Sequence, residues 1–163
     1  MIQKTKVALA FVSMVLLSCG NPSTFDEYVT VGTNWNENTE VQFDFEATDT
    51  TSFYNMFIQL RNNRAYPFSN IFLIVKTEAP DASLVVDTLE YAMTKPDGTF
   101  LGSGFSDLKE NKLFFREKVR FDQLGTYHIS IRHAVRKIGL VEGVGNLEGI
   151  TDVGFKIENA DTK

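Results

Sequence analysis

The segment Val41-Gln42-Phe43-Asp44-Phe45-Glu46 places a large apolar side chain at every second position, with a polar or acidic one between. A strand sends successive side chains to opposite faces, so this order makes one dry face and one wet one. A helix, with its period of about 3.6 residues, would scatter the same side chains around its axis. The alternation recurs outward along the chain. Tyr54, Met56, Ile58 and Leu60 alternate with Asn55, Gln59 and Arg61, with Phe57 as the exception. Tyr127, Ile129 and Ile131 alternate with His128, Ser130 and Arg132, and Val153, Phe155 and Ile157 repeat the pattern near the end of the chain. Residues 84–91 read as a further strand. The unbroken apolar run at 71–75 has strand length and predicts a central strand covered on both faces.

The connections carry turn chemistry. Lys95-Pro96-Asp97-Gly98 predicts a type I turn, Asn62-Asn63 tolerates left-handed backbone, and Gly125 precedes the Tyr127 strand. Residues 106–111, with Ser106 as a cap, and residues 134–138 are each expected to form a single helical turn. Glycines crowd residues 139–154, and 141–150 predict a long packed loop. Short strands at close spacing, rich in Phe and Val, predict an all-β fold, an antiparallel β-sandwich of about seven to nine strands.

The amino terminus has a different character. Lys4 and Lys6 precede an apolar run at residues 7–17 that is interrupted only by Ser13. Such a run spans about 16 Å as a helix, half a bilayer core, which marks an export signal rather than a membrane span. The ending Leu16-Leu17-Ser18-Cys19 resembles the lipobox of bacterial lipoproteins. That resemblance implies Leu16 and Ser18 as processing positions and Cys19 as the acylated first residue of the mature chain. The expected organisation is a signal peptide at 1–18, a lipidated Cys and short tether at 19–24, one sandwich domain at 25–159, and a tail at 160–163. Cys19 is the single cysteine, so no disulfide and no thiol chemistry are expected. Loss of residues 1–18 removes two lysines and no acid, leaving 14 basic against 21 acidic residues, a net charge of −7. An acidic body disfavours nucleic acid, so attachment to the membrane is expected through lipid rather than charge.

Signs of catalysis are weak. His128 and His133 lie five apart on one strand, so they point to opposite faces and should not share a metal; both read as surface or strand-end positions. Asp81, Asp87 and Glu90 lie around one strand and Asp44 and Glu46 share another's outward face, without calcium-loop spacing. Gly102-Ser103-Gly104 imitates a nucleophile elbow but lacks its strand-to-helix setting. No catalytic residue, metal or cofactor is expected. Two features suggest a contact surface: the basic cluster Arg132, His133, Arg136 and Lys137 on an acidic protein, and Trp35, Phe100 and Phe105 in loop or edge contexts that favour exposure.

Longer strings are more specific. Phe25-Asp26-Glu27-Tyr28, Tyr66-Pro67-Phe68-Ser69-Asn70 leading into the 71–75 run, Val86-Asp87-Thr88-Leu89-Glu90-Tyr91 and Pro96-Asp97-Gly98 come in that order. Gly104-Phe105-Ser106-Asp107-Leu108-Lys109-Glu110-Asn111-Lys112-Leu113 and Leu147-Glu148-Gly149-Ile150-Thr151-Asp152-Val153-Gly154-Phe155 follow. Together, from Phe25 to Glu158, they resemble the gliding-motility lipoprotein GldH family. The resemblance implies a non-enzymatic part in gliding beside other lipoproteins of the type IX secretion machinery and outer-membrane components. Known sorting rules, with no acidic residue directly after Cys19, imply the outer membrane, facing the periplasm. The rival expectation is a lipid-anchored glycan- or peptidoglycan-binding sandwich that uses Trp35 and Phe100 as a flat ledge; a hydrolase would need a polar pocket that no motif announces.

Overall fold

A computed structural model describes residues 23–104, 106–137, 139 and 141–160. Among them are ten strands and no helix: β1 (Ser23–Thr30), β2 (Asn34–Asn36), β3 (Val41–Ala47), β4 (Tyr54–Asn62), β5 (Asn70–Glu78), β6 (Leu84–Ala92), β7 (Lys109–Val119), β8 (Gly125–His133), β9 (Asn146–Glu148) and β10 (Ile150–Asn159). They form two four-stranded antiparallel sheets, in the orders β1-β10-β4-β7 and β3-β8-β5-β6, and a small ribbon of β2 with β9.

The alternation decides which faces meet. In β3, Val41, Phe43, Phe45 and Ala47 are buried while Gln42, Asp44 and Glu46 are exposed. Opposite them, β10 and β4 bury Val153, Phe155, Ile157, Met56, Ile58 and Leu60. Aromatic rings close the gap between sheets: Phe43 lies 6.0 Å from Phe155, and Phe25 reaches Phe43, Phe45 and Phe155. Each large apolar side chain fully buried here contributes roughly 1.5–3 kcal/mol.

The sandwich has two ends. One holds the start of β1, the end of β10, and the connections at residues 48–53, 79–83 and 120–124. Phe121 plugs this end, with ring centroids 4.8–5.3 Å from Phe45, Tyr54 and Tyr127. The distal end is covered by the ribbon, where Trp35 opposes Leu147 in register and both are buried.

Several local expectations are corrected. Lys109–Val119, at the edge of its sheet, is the longest strand rather than the continuation of a helical turn at Ser106, because Leu113 and Phe115 turn inward and pack on the core. The Ala134 amide donates to the Phe72 carbonyl and Arg136 bridges Gly143, so residues 134–137 are extended too. Neither Asn62 nor Asn63 takes a left-handed backbone; among the described residues, Ala82 and Lys118 are the non-glycine positions that do so. Asn62 is fully buried and accepts from the Asn111 amide at 2.8 Å, a cross-strand bond that local turn chemistry does not foresee. The predicted long loop contains β9 and the start of β10, with Leu147 and Ile150 fully buried. Gly149 takes φ +86, and a Cβ there would run into the Tyr66 amide. β1 begins at Ser23, so the last two residues of the expected tether are strand. β5 is central, yet only Ile71, Leu73 and Val75 are fully buried; on its other face Phe72 and Ile74 are only half-buried.

Candidate functional site

That half-open face of β3-β8-β5-β6 is the site. In β8, Tyr127, Ile129, Ile131 and His133 turn inward, which directs His128, Ser130 and Arg132 outward. The register sets Asp44 and Glu78 beside His128, Gln42 and Lys76 beside Ser130, and Ile74 beside Arg132. On β6 the matching outward positions are Leu84, Val86, Thr88 and Glu90.

The face divides along its length. Toward the β1-start end it is mostly polar, with several internal pairs. The His128 Nδ1 lies 2.7 Å from Asp44, the Thr126 hydroxyl donates to Glu46 at 2.7 Å, and Lys76 pairs with Glu40. The hydrogen bond from Lys76 is the main reason the Glu40 carboxyl stays below its ordinary value. Toward the distal end the floor turns apolar. Phe72, Ile74, Thr88 and Ala134 line an open groove of about 470 Å³ with Arg136 at its rim. Leu84 and Val86, 56% and 54% exposed, run along the free edge of β6 from the groove back toward the β1-start end.

The basic cluster is only partly at this surface. Arg136 and Lys137 are exposed and Arg132 is half-buried. His133 is fully buried on the opposite face, which corrects its place in the cluster and its reading as a surface residue. Its Nε2–H donates to the Trp35 carbonyl at 2.9 Å, and its ring stands edge-on to Trp35. That bond fixes the tautomer, leaving Nδ1 as a buried lone pair without a hydrogen-bond donor. Burial holds the imidazole below its ordinary value, because a charged ring would lose its hydration there. Trp35 is likewise corrected: it is 1% exposed, with its indole N–H donated to the Thr39 carbonyl. Short polar neighbours hid a ring that the ribbon folds inward. Phe100 is half-buried against the core, so no flat ledge joins the two. Leu16, Ser18, Cys19 and Phe105 lie outside the described residues.

The acidic candidates do not converge. Asp87 pairs with Arg116, Glu90 accepts from Asn70, and Asp81 accepts from the Ser83 amide and the Gln123 side chain. Ser103 exchanges backbone bonds with Glu110 instead of forming an elbow. Among the described residues, no three His, Cys, Asp or Glu come together to hold a metal. The groove itself was missed in the sequence, because a run of apolar residues reads the same whether or not its second face is covered.

The outer face of β1-β10-β4-β7 is built differently. Lys156 pairs with Asp26 and Glu158, Lys112 with Glu158, and Arg61 with Glu110. Partial burial pushes Glu158 upward, but Lys112 and Lys156 outweigh it and hold the carboxyl below its ordinary value. Arg61 lies 4.0 Å above the Tyr28 ring and Lys112 3.9 Å above Phe57. The Tyr28 ring rests on Gly154, whose lack of a side chain leaves room for it: a Cβ there would strike the ring.

Comparison with known proteins agrees along the whole described fold. A family model described as GldH lipoprotein matches residues 23–157. A Flavobacterium johnsoniae protein named gliding motility lipoprotein GldH is 48% identical over 97% of this chain and 98% of its own length. A Christiangramia forsetii protein named gliding motility lipoprotein GldH homolog is 46% identical over 93% of each. Among solved structures, a GH115 4-O-methyl-α-glucuronidase overlaps 88% of this chain and 18% of its own at TM-score 0.46 and 8% identity, too loosely to assign kinship.

Proposed function

Because this chain belongs to the GldH lipoprotein family, and so is a membrane-associated lipoprotein of gliding motility, we propose that it acts without catalysis. It is an assembly component of the gliding apparatus and the type IX secretion machinery, anchored through acylated Cys19 in the outer membrane and facing the periplasm. The observation that carries this reading is the groove over Phe72, Ile74 and Ala134 with Arg136 on its rim. It is an apolar floor with basic neighbours on a protein whose other large face has its charges paired. Such a surface suits a partner segment that brings apolar side chains and a carboxylate. Membrane anchoring removes much of the translational freedom that free association would forfeit, so a modest contact area suffices.

The test is recovery of partner proteins from detergent-solubilised membranes. Arg132→Glu with Arg136→Glu and Lys137→Glu should leave the protein abundant and membrane-bound while partner recovery falls and spreading on agar is lost. Deletion should abolish spreading and lower the abundance of secretion components, since parts stabilised by assembly are degraded without it. Normal spreading and secretion in the deletion strain would remove the assignment.

A further inference from the structure

The covalent chain limits how the sandwich is held. Cys19 and Ser23 are four residues apart, so their Cα atoms cannot be separated by more than about 14 Å. Ser23 opens β1 and pairs with Glu158 near the end of β10. If acylated Cys19 lies at the bilayer surface, the end of the sandwich that carries Ser23 is confined beside that surface.

Three connections turn at this end; two of them, and the strand that follows the third, bring a large apolar side chain into the open. Phe53 closes the 48–53 connection and is 46% exposed. Leu124 closes the 120–124 connection and is 61% exposed, and Leu84 follows directly on the 79–83 turn. Turns between strands are ordinarily polar, because Gly, Asn, Asp and Ser suit the backbone and water covers them. Exposed apolar residues in two of the three turns, with Leu84 opening the strand after the third, suit a surface that meets something drier than water. Carboxylates also lie at this end and belong on its water side: Asp49, Asp81 and Asp122 in the turns, each tied locally, and the exposed Glu78 and Glu117 near the ends of β5 and β7. Asp49 accepts from Thr51 and Ser52, Asp81 from Ser83 and Gln123, and Asp122 faces Arg120. Lys118 lies at the same end, and Arg120 is taken up by Asp122.

We propose that this end seats on the bilayer that carries the protein's own lipid anchor, with Phe53 and Leu124 entering the headgroup boundary. The proposal rests on acylation of Cys19. Seated so, the domain has a fixed orientation: the ribbon end points away from the membrane, and the groove over Phe72 and Ile74 opens sideways, clear of the bilayer, toward other proteins.

The experiment uses the full-length protein reconstituted in vesicles of phosphatidylcholine and phosphatidylethanolamine, with part of the phosphatidylcholine brominated. Phe53→Trp, Leu124→Trp and, at the distal end, Leu101→Trp are compared; Leu101 is 50% exposed, so all three substitutions are at open positions. Trp35, being buried, gives the same background in each. Emission from positions 53 and 124 should shift to shorter wavelength on reconstitution, and brominated lipid should quench it at least twofold more than emission from position 101. Equal quenching at the three positions, or stronger quenching at 101, overturns the seating. The mass of the amino-terminal peptide separates the two possible failures. An acylated peptide without differential quenching removes the seating alone, and an unacylated peptide removes the anchor and the seating together.

Discussion

On the outer face of β1-β10-β4-β7, Lys156 reaches two carboxylates, Lys112 and Arg61 each cover an aromatic ring, and Tyr28 fills the space above Gly154. On the outer face of β3-β8-β5-β6, the paired charges stop at Lys76, and beyond it Phe72 and Ile74 line an open groove. Both sheets bury the same Val-, Ile- and Phe-rich inner face, so the difference is not a matter of core. One sheet satisfies its outer groups from within, and the other leaves a surface whose apolar atoms gain from being covered by a second body. A sandwich can therefore keep stability and recognition on separate faces.

The comparison breaks most readily at Gly154. In Gly154→Val the new side chain would collide with the Tyr28 ring and the Glu27 carbonyl, and overpacking of this kind should cost about 2–3 kcal/mol in urea unfolding. Ala134→Val on the open face should stay within about 0.5 kcal/mol. Equal losses from the two would mean that the faces do not differ as described.

A second test contrasts the two sides of β8. His133 is buried as the neutral ring, with its value lowered from 6.5, whereas His128 sits on the outer face. Above pH 6.5 the unfolded and folded chains both hold His133 neutral, so it exerts no pH dependence. As the pH falls through 6.5 the unfolded chain takes up the proton first, and stability drops until the folded value is reached. Melting temperature should thus fall between pH 7 and pH 5.5. His133→Gln, whose amide can still donate to the Trp35 carbonyl, should flatten that fall, and His128→Gln should not. An unchanged slope in His133→Gln would place the acid sensitivity elsewhere.

Smaller effects sharpen the contrast. Lys156→Ala leaves Asp26 and Glu158 facing each other without their shared cation and should cost about 1 kcal/mol. Lys76→Ala removes a single, more exposed pair with Glu40 and should cost only about 0.3 kcal/mol, read from the same unfolding curves.

Much of the fold was legible because it rests on nearest-neighbour order. The inward sets of β3, β4, β8 and β10 follow from alternation alone, and the odd spacing of His128 and His133 placed them on opposite faces. β7 escaped notice because Lys, Glu and Arg surround its two inward residues, and β2 and β9 because three residues are too few to show a period. The basic cluster was only half legible, since adjacency in the chain groups His133 with Arg132 while the strand separates them. Trp35 was misread for the same reason: its polar neighbours describe the chain around it, not the ribbon that folds it against His133.

Two kinds of information are therefore separable in this protein. The leader pattern ending at Cys19, the acidic balance, the strand period and the family strings are properties of residue order, and no folding is needed to read them. Which apolar residues end up covered is not such a property. Trp35 and Ile74 are both apolar residues in strands, yet one is sealed by β8 and the ribbon and the other is left half-buried at a groove. Burial depends on what another part of the chain brings to that face, and only the packing of the two sheets decided it.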